Sequence, residues 1–177
     1  AVYETEQDQD VQTLEIDLKD PESGLLVTLL YGVFPKKDVI TRAVRLKNEG
    51  GELLTLESVQ SASLDLIYGD YDWIQFYGRH AMERNVQRIP AAHGAHVIGS
   101  RRGTSSHQYN PFVILAEKET TEDFGSCYGM SFMYSGEFQA FAERDQYDQT
   151  RTGMGISPEG FSWSLKPGES FTAPEVI

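Results

Sequence analysis

Thr13-Leu14-Glu15-Ile16-Asp17-Leu18, then Asp20-Pro21-Glu22-Ser23-Gly24, then the apolar run from Leu25 to Phe34 decide the fold class. The first six residues alternate, which puts Leu14, Ile16 and Leu18 on one face of a strand. In the next five, Pro21 fixes φ and Gly24 supplies the residue with positive φ. The run that follows returns as a second, longer strand, so the three segments together predict a β-hairpin.

The same grammar repeats outward. Val39 to Lys47 alternates, and Asn48-Glu49-Gly50-Gly51 turns the chain. Leu53 to Leu66 reads as one further strand, with Leu54, Leu56 and Ser58 sharing a face. Strands are then predicted at 72–77, 85–89, 95–99, 112–116, 127–134, 138–144, 150–156, 161–165 and 170–173. A short helical turn is expected only within Gly78 to Glu83. More than ten strands are too many for a seven-strand immunoglobulin-type sandwich. The expectation is an all-β fold: a large two-sheet antiparallel β-sandwich with little helix, forming one domain over residues 1–177.

Lys and Arg number 15 against 27 Asp and Glu, a net charge of −12. That balance argues against a nucleic-acid backbone or an anionic membrane as partner, since both need a basic face. No apolar run reaches the roughly 20 residues of a membrane helix. Ala1-Val2-Tyr3-Glu4-Thr5-Glu6 lacks the basic and apolar regions of a signal peptide. Without an initiator Met, and with an end in strand-like Glu175-Val176-Ile177, the chain is expected to be a fragment of a longer, cytoplasmic protein. The single Cys127 is expected as a buried, reduced thiol.

Candidate chemistry is sparse. His93 and His96 are three apart, which on a strand sends them to opposite faces, and no third ligand is evident, so no metal and no cofactor is expected. Asp65, Asp70 and Asp72 lie among Tyr68, Tyr71, Trp73, Phe76 and Tyr77, a run able to stack on a sugar ring. About half of those aromatics are expected to turn into the core. Gly-x-Ser-x-Gly and phosphate-loop motifs are absent.

Arginine is unevenly spread. Arg79, Arg84, Arg88, Arg101 and Arg102, with Arg42 and Arg45, make seven of the fifteen basic residues. Guanidinium forks hold carboxylates and carbonyls bidentately, so the cluster reads as a salt-bridged interface or as the rim of a sugar cleft. Ser100-Arg101-Arg102-Gly103-Thr104-Ser105-Ser106-His107-Gln108-Tyr109-Asn110-Pro111-Phe112 is the densest polar stretch, and it does not alternate until Phe112.

These residues carry a resemblance. Asp38 to Arg42, Ser61 to Asp65, Gly78 to Arg84, Ser100 to Phe112, Tyr134-Ser135-Gly136 and Pro167 to Glu175 resemble, in that order, the N-terminal domain of bacterial α-galactosidases of glycoside hydrolase family 36. The resemblance covers nearly the whole chain, and Arg-Gly-Thr-Ser-Ser-His-Gln is its most specific part. It implies a β-supersandwich followed by a (β/α)8 barrel that holds the two catalytic aspartates of a retaining mechanism. No catalytic residue is therefore expected within residues 1–177.

By the same resemblance, Asp70, Asp72, Trp73, Arg79, His80 and Arg84 are candidates for the rim of an active-site pocket. There they would meet a galactosyl oligosaccharide such as melibiose or raffinose. Arg101, Arg102, Thr104, Ser105, His107 and Asn110 are expected as an ordered loop facing the enzyme's own catalytic barrel or neighbouring subunits. The alternative is a free-standing, lectin-like carbohydrate-binding sandwich.

Overall fold

The computed structural model describes residues 11–177, so the first six residues read above lie outside the described residues. Fourteen strands follow: β1 (Gln12–Lys19), β2 (Leu25–Phe34), β3 (Val39–Asn48), β4 (Leu54–Leu56), β5 (Gln60–Leu66), β6 (Tyr71–Arg79), β7 (Met82–Pro90), β8 (Gly94–Gly99), β9 (Tyr109–Glu117), β10 (Cys127–Ser131), β11 (Phe138–Arg144), β12 (Thr150–Ile156), β13 (Trp163–Leu165) and β14 (Ser170–Thr172). The fold is all-β, and hydrogen bonding divides it into four antiparallel ladders: β1-β2-β3-β14, β10-β9-β6-β7, β11-β12-β5 and β13-β4.

The opening hairpin forms as the alternation requires, with Leu14 opposite Tyr31, Ile16 opposite Leu29 and Leu18 opposite Val27. Asp20 organises its turn: the carboxylate accepts from the Glu22 and Ser23 amides, and Gly24 takes φ 74°. The face that β1 shares with Val27, Leu29, Val44 and Leu46 is covered over β2 and β3 but open over β1, where Leu14 and Leu18 are more than half exposed. The opposing β4 and β13 are three residues long, too short to reach the edge strand.

Two cores result. Trp73, Val113 and Leu115 pack with Phe138, Ala140 and Met154, while Val44 and Leu46 pack with Leu56 and Leu165. Phe161 and Phe171 touch both.

Three expectations need correction. The single strand expected from Leu53 to Leu66 is two: β4 joins β13, β5 joins β12, and Glu57 to Val59 carry the chain between ladders. The helical turn expected within Gly78 to Glu83 is instead the tip of the β6–β7 hairpin, with His80 and Ala81 between the strands and Ala81 in the left-handed region. Cys127 is exposed, not buried. It begins β10, an edge strand that turns only Met130 fully inward.

Candidate functional site

β6 fixes the geometry of the rim candidates, which lie on it or at its two ends. Its alternation sends Tyr71, Trp73 and Gln75 inward. Trp73 is fully buried; its indole N–H donates to Gln75 Oε1 at 2.9 Å, and His96 Nε2 meets the same oxygen at 2.8 Å. Gln75 Nε2 then donates to Gln87 Oε1 at 2.8 Å. The aromatic run thus divides as its period demands: Tyr71 and Trp73 enter the core, while Tyr68 and Tyr77 remain exposed. Trp73 is a core residue, and from that position its ring touches no rim. Burial holds His96 in its neutral form by pushing its pKa down.

At the start of β6 lies an ionic hub. Asp70 accepts from Lys118 and, at 3.0 Å, from Arg144 Nη1. Arg144 also holds Asp148, and His93 Nε2 lies 3.3 Å from Asp148. His93 therefore does have a carboxylate beside it, brought from the β11–β12 turn, which the residues around it did not reveal. The Lys118 ammonium, with Arg144 behind it, holds the Asp70 carboxyl below its ordinary range. Asp72 pairs with Arg88 Nε at 2.6 Å, and the same guanidinium donates to the carbonyls of Thr120, Glu117 and Lys118. Asp70 and Asp72 are thus bound to cations of this domain.

At the far end of β6 the hairpin tip carries Arg79, His80 and Arg84, all exposed. Arg79 Nη2 lies 3.2 Å from Met82 Sδ. Arg84 has φ 56° and no side-chain partner among the described residues. Nine residues of extended chain put roughly 26 Å between the two ends of β6 at about 3.3 Å per residue. The six rim candidates therefore form two separate groups and a buried tryptophan.

The β8–β9 loop joins the tip group. Tyr77 pairs with Tyr109, and the Gly78 amide donates to Gln108 O at 3.2 Å. The two arginine-rich stretches of the sequence are thereby brought to one end of the sandwich. The loop is ordered from the side of β11. Ser105 N–H and Thr104 Oγ1 both donate to Ser135 O at 2.8 Å, Gly103 N–H donates to Glu137 Oε1 at 2.8 Å, and Ser100 Oγ donates to Thr104 O at 2.5 Å. Arg101 pairs with Glu159. Arg101, Arg102, Thr104 and His107 face solvent; Ser105 and Asn110 are half-buried. Glu137, Gln139, Ser157 and Glu159 complete this end. They arrive from β11 and from beyond β12, and no local pattern marks them as its neighbours. Among the described residues no three His, Cys, Asp or Glu side chains converge on a metal-sized site.

A family model described as the glycosyl hydrolase family 36 N-terminal domain matches residues 1–166. The chain belongs to that family. It is 56% identical over 170 residues to the bifunctional α-galactosidase/sucrose kinase AgaSK of Mediterraneibacter gnavus, covering 96% of this chain and 18% of the relative. It is 48% identical over 177 residues to the α-galactosidase AgaA of Geobacillus stearothermophilus, all of this chain and 24% of the relative. The solved galactosidase domain of AgaSK superposes with a TM-score of 0.94 over 99% of this chain and 24% of that one. This family 36 N-terminal domain thus spans about a quarter or less of the length of such relatives. An aldose 1-epimerase-like protein of Escherichia coli, 14% identical with a TM-score of 0.50, shares the sandwich fold alone. Among the described residues no helix is long and apolar enough to cross a membrane.

Proposed function

We propose that residues 1–177 are the non-catalytic N-terminal domain of a retaining α-galactosidase that removes terminal α-galactosyl residues from oligosaccharides such as melibiose and raffinose. The observation that carries this reading is identity of 48% to 56% across nearly the entire chain with two α-galactosidases. A solved form of AgaA is in complex with raffinose, which supports the substrate class. The domain supports the barrel and the assembly of subunits in the cytoplasm. The Arg79, His80 and Arg84 tip supplies its share of the substrate rim, and the Arg101 to Asn110 loop faces the barrel or a neighbouring subunit. Retaining chemistry needs two carboxyl groups about 5 Å apart, which the reading assigns to the barrel.

An aryl α-galactoside assay tests this. The full-length enzyme is expected to turn over and residues 1–177 alone are not. Hydrolysis by the domain alone, or none by the full-length enzyme, refutes the reading. Calorimetric titration of melibiose into the domain is expected to give no heat; tight binding would favour the lectin-like alternative.

A further inference from the structure

A recess of about 480 Å³ opens between the β8–β9 loop and the start of β11. Its apolar lining includes Ile98 and Phe138, both buried. Its polar lining includes Arg102, Gln108, Tyr109, Gln139 and Ser157, and none of these side chains has a partner among the described residues. Ser157 is only 4% exposed. Its hydroxyl is not sealed in the core but opens on the recess, where it is free to bond whatever enters. Arg101 on the same wall is already taken by Glu159, so Arg102 is the recess's one uncommitted cation among the described residues.

The chemistry selects the occupant. A guanidinium with two amides and two hydroxyls presents a fan of donors, which fits a carboxylate. A neutral sugar needs an exposed ring face, but Phe138 is fully buried and Tyr109 is half-buried against the core. A free small anion must approach a chain of net charge −12. For a carboxylate tethered to the same polypeptide that penalty is offset, because tethering sets its effective concentration in the millimolar range or above.

We infer that the recess is a socket for one Asp or Glu side chain carried by the part of the α-galactosidase outside residues 1–177. Arg102 grips the carboxylate, and the Gln108, Gln139 and Ser157 side chains donate around it. This rests on the reading of the chain as one domain of that enzyme, and it names the chemistry by which the two parts lock.

The full-length enzyme provides the test. Phenylglyoxal labelling followed by peptide mass spectrometry reads the reactivity of Arg102 in the native and the urea-unfolded protein. The native rate is expected to fall below one-tenth of the unfolded rate, without added anion. In the Arg102→Lys variant, a zero-length carbodiimide is expected to join the new amine to an Asp or Glu outside residues 1–177. Failure of either result overturns the socket, as do protection that appears only with added phosphate or acetate, or coupling confined to Glu137 or Glu159. Activity of the same preparation on an aryl α-galactoside separates the outcomes: an active enzyme with a reactive Arg102 loses the socket alone, while an inactive one loses the functional reading.

Discussion

At the scale of single residues, Trp73 and His96 show how a core can hold polar atoms without cost. Gln75 Oε1 accepts from both rings, and its amide passes the chain on to Gln87. Trp73→Ala opens a large cavity and strips Gln75 of a donor, so it should cost about 3–5 kcal/mol in urea denaturation. The linked pH effect has a definite sign. The folded His96 pKa is lowered by burial from an ordinary 6.5. Its contribution is therefore complete above that value and is lost as pH falls through it, because the unfolded chain takes up the proton first. His96→Gln keeps a donor for Gln75 and removes the titration. Between about pH 7 and about pH 5 the urea midpoint of the parent should fall further than that of the variant. Equal falls would remove His96 from the account. Ala81 is simpler: at φ 61° its methyl is crowded, and Ala81→Gly should stabilise by about 1 kcal/mol in the same assay.

Elements were legible wherever one face alternates. β1, β3, β6 and β11 lie close to where alternation put them, and in β3, β6 and β11 the pattern records which side meets the core. The split at Glu57 to Val59 was not legible. Nothing in Leu53 to Leu66 says that its halves have different partners, since partners are chosen by β12 and β13, a hundred residues away. The hairpin tip was missed for a related reason: Gly78-Arg79-His80-Ala81 lacks the Asn-Gly or Asp-Gly signature of a tight turn, and it places an alanine where glycine would rest unstrained. Gly99 marks a constraint at the same scale. A methyl group there would overlap the Phe138 carbonyl, and the next residue, Ser100, donates its amide to that oxygen at 3.0 Å. Gly99→Ala should push β8 from β11 and speed hydrogen exchange at the Ser100 amide at least tenfold, with less effect at amides of β2 and β3.

For the whole molecule, the candidate site was legible in composition but not in geometry. The excess of arginine at Arg79 to Arg102 is visible in the sequence, and the fold does bring Arg79, Arg84, Arg101 and Arg102 to one end. The sequence could not say that Asp70 and Asp72 sit at the opposite end, already bound to Lys118, Arg144 and Arg88. The separation is the length of β6, a property of strand geometry rather than of any motif. Asp70 ties the loops before β6 and after β9 to β11. Asp70→Asn should loosen those loops, seen as faster exchange at the Lys118 and Asp148 amides, while the arginine-rich end stays unchanged. Equal loosening at both ends would mean that the hub is not local.

β1, left uncovered among the described residues, has a practical consequence for anyone who makes residues 1–177 by themselves. Eight consecutive residues of regular strand, with no proline and with Leu14, Ile16 and Leu18 exposed on the face they share with Leu29 and Val27, form a template on which another chain can grow a sheet. Lys19, at its very end, is its only lysine. Self-templated aggregation along this edge is expected to lower the soluble yield of the isolated domain. Ile16→Lys places a gatekeeper charge midway along that edge, and light scattering on storage should distinguish the two proteins.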